Sequence, residues 1–267
     1  IVEKTGSIVL PLLFHDIIKR LDGDITIKTN KLNAMIKSGK AKYDFNGVDA
    51  EQYPRAVDED IKSSFTSFTI KGSELKSLFN KTAYCTSRGD ARPIRQGLGS
   101  DIYEQGIKVT ATDSHRLSIA SSNVSVNDEL RAIVHRDSIV KLSRAIEDHE
   151  MVEILLSMKH MIGKTKGLTF RFSLLEGSYP EVSRILNRNP KTTLKLNRAE
   201  LLSALERLAI LAGNNVVNFK SNQFVELTAN KQGSGSAKES LFIGECQSDE
   251  EISIAFSAAY LIDALKV

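Results

Sequence analysis

Hydrophobic and polar positions along this chain repeat one short theme: an alternating strand, a polar turn, then a helix with a single apolar stripe. The segment Phe68–Leu78 shows it once, and the segment Leu194–Ala204 shows it again. Glu74 and Glu200, at matching points of the two, are 126 positions apart. The theme recurs where Ile8-Val9-Leu10-Pro11 runs into a predicted helix Phe14–Leu21. It recurs where Ala132–His135 runs into Ser138–Ile146, and where Ile254–Ser257 runs into Tyr260–Leu265. In the first of these helices Phe14, Ile17, Ile18 and Leu21 share one face, with Lys19 and Arg20 turned towards the other.

A second landmark keeps the same offset. Phe45-Asn46-Gly47 leads to Tyr53-Pro54, and Leu175-Glu176-Gly177-Ser178 leads to Tyr179-Pro180; the two tyrosines are again 126 positions apart. Two landmarks with one spacing imply a repeat on the scale of a domain. Each Tyr-Pro precedes a polar stretch, Arg55–Ser64 and Glu181–Lys191, read as linkers. The expected domains are therefore 1–62, 63–189 and 190–267.

Most of the rest reads as strands. Ile25–Ile27, Ile107–Thr110, Val152–Leu155 and Leu168–Phe172 alternate or are β-branched. Gly233-Ser234-Gly235-Ser236 reads as a flexible loop. The fold class expected is α+β, with helices packed on antiparallel sheets and tandem domains built from repeated halves. Such domains joined head to tail can close into a ring.

Composition changes this picture little. Of the 267 residues 41% are hydrophobic and 26% charged, as in an ordinary globular protein, and the net charge is only +3. A nucleic-acid surface would therefore depend on where charges are placed, not on their excess. Cys85 and Cys246 sit in no CxxC or His/Cys cluster, which argues against zinc and suits a reducing, cytoplasmic setting. No apolar run is long enough to span a bilayer. The start, Ile1-Val2-Glu3-Lys4, and the end, within a helical pattern at Leu261–Val267, suggest a piece cut from a longer chain.

One ordered set of segments is more specific. Thr110-Ala111-Thr112-Asp113-Ser114-His115-Arg116-Leu117, Leu174–Pro180, Ala209-Ile210-Leu211 and Tyr260–Leu265 together resemble the bacterial replication sliding clamps, the β subunit of DNA polymerase III. Arg92-Pro93-Ile94 is similar to a loop of clamps of Gram-positive type. The resemblance runs from about residue 6 to the C-terminus. It implies the C-terminal part of a first clamp domain over 1–62, a complete second domain over 63–189 and an incomplete third over 190–267. It also implies a non-catalytic processivity factor that needs no cofactor. Full-length chains would form a homodimeric ring around double-stranded DNA.

The resemblance assigns residues to three surfaces. Lys19, Arg20, Lys76, Arg88, Arg92, Arg136, Arg144 and Arg207 fall on the DNA-facing lining. A ring that slides needs long-range attraction to phosphates and no base readout, so a modest density of cations suits it. Thr112, Ser114, His115, Arg116 and Leu117, with Arg95 nearby, fall on a groove for short linear peptides from the DNA polymerase III α subunit and the clamp loader. Arg95 stands where the family usually has an apolar residue, and Asn187 where proline is frequent. Lys42, Tyr43 and Phe45 on one edge, and Ile210 and Leu211 on another, match the dimer interface.

Two rival readings remain at this point. A metal-dependent nuclease would need clustered carboxylates, and Asp58-Glu59-Asp60 is such a run, though in a linker. A clamp-derived interaction module without ring function would share the groove alone. The adjacent Asp113, Ser114 and His115 make a poor hydrolase triad, because successive residues of an extended chain point to opposite sides.

Overall fold

The computed structural model describes the chain except residues 1, 3, 54–65, 90–91, 127, 187–189, 191, 222–223 and 249–250. It divides into two compact units, 1–63 and 64–267. The Arg55–Ser64 linker, the Asp58-Glu59-Asp60 run and Asn187 lie outside the described residues.

The first unit is a helix followed by a three-stranded meander. Helix α1 spans Leu13–Ile18. Strands β1 (Thr26–Asn30), β2 (Asn33–Ser38) and β3 (Ala41–Asn46) form an antiparallel sheet in that order. Both hairpins turn on two residues, with Lys31 and Gly39 at φ 52° and 54°, as tight hairpins require. On β2, Ala34 and Ile36 are buried, and Phe45 and Tyr43 stand opposite them across the ladder. Helix α1 is shorter than the pattern predicts. After Ile18 the bonds tighten to Arg20 N–H to Ile17 O and Leu21 N–H to Ile18 O, and Gly23 then turns at φ 77°.

The second unit begins with β4 (Thr66–Lys71) and α2 (Gly72–Ala83). Gly72 is required there, because a Cβ would lie 2.1 Å from the carbonyl oxygen of Glu147. Next come β5 (Gly97–Tyr103), β6 (Gly106–Thr112), β7 (Leu117–Ser122), β8 (Leu130–His135) and α3 (Arg136–Ala145). The meander β9 (Met151–Leu156), β10 (His160–Lys164) and β11 (Thr169–Ser173) follows. One antiparallel sheet has the order β7-β6-β5-β8 and another β11-β10-β9-β4. Leu75, Leu78, Phe79, Ile139 and Leu142 pack the two helices on these sheets, each buried side chain contributing roughly 1.5–3 kcal/mol.

A single turn of helix, α4 (Ser183–Leu186), leads to the third region, so the predicted polar linker is helical over those four residues. There β12 (Thr192–Leu196), α5 (Arg198–Leu211), β13 (Val216–Ser221), β14 (Phe224–Lys231), β15 (Gly235–Ser248), β16 (Ile252–Ser257) and α6 (Ala258–Leu265) repeat the order strand, helix, four strands, helix. The sheet order β15-β14-β13-β16 matches β7-β6-β5-β8 position for position. The buried residues of the second unit form two clusters, one from residues 68–161 and one from 204–258. The Gly233–Ser236 loop is a correction. Its residues make a tight turn whose last part, from Gly235, already pairs with Lys231, because Gly233 and Gly235 take φ 78° and 139°.

Candidate partner groove and nucleic-acid interface

The turn between β6 and β7 is held by a dense set of hydrogen bonds. The Asp113 Oδ1 atom accepts from the backbone N–H of His115 and of Arg116, each at 3.0 Å. This is the local capping that Asp provides in turns. The Thr112 hydroxyl donates to Arg116 O at 2.7 Å and accepts from Ser114 N–H. Ser114 takes φ 84°, a conformation unusual for a residue with a Cβ. The side chains of Thr112, Ser114, His115, Arg116 and Leu117 therefore leave one short, rigid turn. Arg95, from the helical turn Pro93–Gln96, reaches it through a hydrogen bond from Nη1 to the Ser114 hydroxyl. All six predicted groove residues are thus brought together.

Arg116 ties this turn to the C-terminal helix. Its Nε donates to Asp113 Oδ2 at 2.9 Å, its Nη1 to Asp263 Oδ2 on α6 at 2.7 Å, and its Nη2 to Tyr84 O at 2.7 Å. The guanidinium also lies 4.5 Å from the centre of the Tyr260 ring and 5.4 Å from that of Tyr84. Burial alone pulls its pKa down, but the bonds to Asp263 and Asp113 outweigh that, and the net direction is up. The His115 ring stacks on Tyr260 at 6.2 Å. Asp113, Ser114 and His115 are each engaged with a different neighbour, Arg116, Arg95 and Tyr260 respectively.

Tyr179 closes the other side. Its hydroxyl accepts from Thr112 N–H at 3.0 Å and donates to Gly97 O at 3.4 Å. The ring lies flat across β5 because Gly99 has no side chain; a Cβ there would meet it at 2.5 Å. Burial raises the phenol's pKa. The same ring borders a cleft of about 500 Å3 between β5, β6 and β8 and the segment Leu174–Val182. None of the six groove residues lines that cleft, so its size is not a guide to the groove. Tyr84 is a partner that residue patterns do not single out, and Tyr260 and Asp263 lie within a segment that carries the family resemblance, which does not assign them to the groove. Tyr260 and Asp263 share a helix face at i, i+3, which is the available signal.

The basic positions differ in availability. Arg144 is exposed near the end of α3, and Lys19, Arg88 and Arg92 are exposed in or beside loops. Arg20 is exposed, and its Nη1 donates to Asp16 O. Arg136 lies 4.0 Å from Asp137. Lys76 pairs with Asp148 at 2.7 Å, and Arg207 grips both oxygens of Glu239 at 2.7 and 2.5 Å. The Asp148 carboxyl is held below its usual range by the Lys76 hydrogen bond. Two of the eight cations are thus held in short ion pairs, and Arg136 in a long one. Lys81 on α2 and Lys141 on α3 are exposed and lie among the cations of these two packed helices, though the repeat pattern does not single them out. Along α2 the exposed residues Glu74, Asn80 and Lys81 include charges of both signs, so net charge stays low.

The dimer candidates occupy two edges. Tyr43 and Phe45 lie on β3, the outer strand of the first sheet, and Lys42 pairs with Asp44 at 3.2 Å. Phe45 also packs edge-on against Phe14 at 5.5 Å, so part of its surface is used within its own unit. Ile210 is 77% exposed at the end of α5, and Leu211 beside it is half-buried.

Comparisons with known proteins converge. A family model described as DNA polymerase III beta subunit, central domain, matches residues 69–181, and that family's C-terminal domain matches 183–267. The beta sliding clamp of Bacillus subtilis is 31% identical over 277 residues, covering 100% of this chain and 72% of that protein. That of Staphylococcus aureus is 30% identical, covering 99% and 72%. A crystal structure of the Bacillus subtilis clamp superposes with a TM-score of 0.90 at 29% identity, covering 100% of this chain and 72% of that one. A Pseudomonas aeruginosa clamp bound to griselimycin does so at 0.85 and 25% identity, covering 100% and 74%.

Proposed function

From the premise that this chain belongs to the sliding-clamp family, the β subunit of DNA polymerase III, we propose how its residues divide the work of a clamp. The family's members are non-catalytic processivity factors of the replicative polymerase. They hold duplex DNA and tether the enzymes that act on it.

The β6–β7 turn, with Tyr260 and Tyr179 beside it, is the seat for linear peptides of polymerase and clamp loader. The observation that carries this reading is the Asp113–Arg116–Asp263 bridge. It fixes a surface turn of the central region against α6, which is what a preorganised docking site between two domains requires. Leu117, Tyr179 and Tyr260 supply apolar surface for anchor side chains, and Thr112, Ser114 and His115 supply a polar rim.

Lys19, Arg20, Arg88, Arg92, Arg136 and Arg144 carry the attraction to phosphates, with Lys81 and Lys141 added to them. Lys76 and Arg207 contribute less, since their partners cancel their charge. The edge of β3, with Tyr43 and Phe45, pairs with a second copy near Ile210 and Leu211. Two copies so joined form the ring, an arrangement that uses otherwise open strand edges.

Topological binding has a direct test. Loaded onto nicked circular duplex, the full-length protein remains bound at raised salt and is released when the circle is cut. Salt-sensitive binding that is indifferent to linearisation would contradict the ring, and a chain that stays monomeric at micromolar concentration would do so as well.

A further inference from the structure

The two arginines of the groove differ in a way that bears on the partner. Arg116 has all three guanidinium nitrogens engaged, two of them by carboxylates. Arg95 is half-buried beside the same turn, and its side chain donates to one neutral acceptor, the Ser114 hydroxyl. No carboxylate among the described residues lies within ion-pairing distance of it. A guanidinium presents five donors in a planar fork that matches a carboxylate. Partly removed from water and facing only a hydroxyl, it leaves most of that capacity unused.

Arginines outnumber acids in the segment that carries it. The loop and helical turn from Arg88 to Arg95 carry three arginines and a single acid, Asp90, in sequence. His115 adds a further donor on the rim. The Asp113 carboxylate nearest the turn is spent on Arg116 and on two backbone N–H groups. Among the described residues the rim therefore offers cations to whatever occupies the groove, and no free anion close to Arg95.

We infer that this groove selects acidic peptides, with an Asp or Glu side chain of the docked segment seated on the Arg95 guanidinium. This rests on the β6–β7 turn being the docking site. A side-chain carboxylate is favoured over a terminal one because Arg88 and Arg92 extend the positive rim beyond a single contact. The Ser114 bond holds the guanidinium in place in advance, so less freedom is lost on binding.

The test uses two matched sets of nine-residue fluorescent peptides with Leu and Phe anchors, amidated at the C-terminus. One set carries a single Asp at successive positions and the other carries Asn. At one position the Asp peptide binds the whole protein about tenfold more tightly than its Asn twin, the size expected for a charge-assisted hydrogen bond. Arg95→Gln, which keeps a donor for Ser114, abolishes that preference, so that in R95Q each Asp peptide binds no better than its Asn twin. Ser114→Ala keeps the preference. Equal binding of the two sets, or a preference that survives in R95Q, overturns the inference while the docking site stands. A preference seen only with free C-terminal carboxylates overturns the side-chain assignment. Binding of neither set overturns the docking reading and this inference together. Loss of duplex-DNA affinity in R95Q with peptide binding intact would assign Arg95 to the DNA surface instead.

Discussion

Two hairpins occupy the same place in the two repeats and are built differently. Between β14 and β15 the chain turns on Lys231–Gly235, with Gly233 and Gly235 at positive φ and open space where a Cβ would stand on either. Between β6 and β7 the equivalent turn carries Asp113, Ser114, His115 and Arg116, and Arg116 reaches out to Tyr84 and Asp263. The sheets beneath have the same strand order. The repeat thus preserves the scaffold, and one turn has been converted from a simple reversal into a bonded platform. Function on a repeated fold resides in such local departures.

The largest expected effect comes from breaking the platform. Arg116→Ala leaves the partly buried Asp113 without its ion pair and frees α6 from the turn. We expect about 3 kcal/mol of lost stability in urea unfolding, together with loss of peptide binding. Gly233→Ala in the plain hairpin costs about 1 kcal/mol, from backbone conformation alone, and leaves peptide affinity unchanged. If the two substitutions affected peptide binding equally, the contrast between the turns would be lost. Ser114→Gly sharpens it from the other side. It relieves the positive φ and is expected to stabilise by about 0.5 kcal/mol, as a higher urea midpoint would show.

The smallest effect is a pH dependence in the plain repeat. The hydrogen bonds from Arg207 hold Glu239 below its ordinary value of 4.5. A depressed carboxylate stabilises the fold above its unfolded pKa, and that contribution fades as pH falls through the folded one. Glu239→Gln therefore narrows the stability difference between pH 7 and the region below 4.5. Both groups face solvent, so the change is small.

The repeat itself was legible in the chain, because burial imposes a period of two on strands and of 3.6 on helices. Glu74 and Glu200 do lie in the first turns of equivalent helices. The six groove residues were legible only as a resemblance. What brings them together is long-range: Arg95 and Ser114 are 19 residues apart, and Arg116 and Asp263 are 147 apart. No local pattern reports such pairs, which is why the contacts of Tyr84, Tyr260 and Asp263 with Arg116 are not legible in the chain, although Tyr260–Leu265 carries part of the resemblance. Charge availability was equally hidden. Lys76 and Arg144 look alike along their helices, yet only the fold brings Asp148 against the first. The Gly233–Ser236 stretch departs from the loop expectation for a related reason, since glycine marks both loose loops and tight hairpin turns.

Hydrogen–deuterium exchange on the whole protein, with and without a clamp-docking peptide of its polymerase, tests the docking site most directly. The account predicts new protection at residues 112–117 and 258–263, with the equivalent turn at 231–235 unchanged. Protection at 231–235 instead, or saturating peptide binding without protection at 112–117, would contradict it.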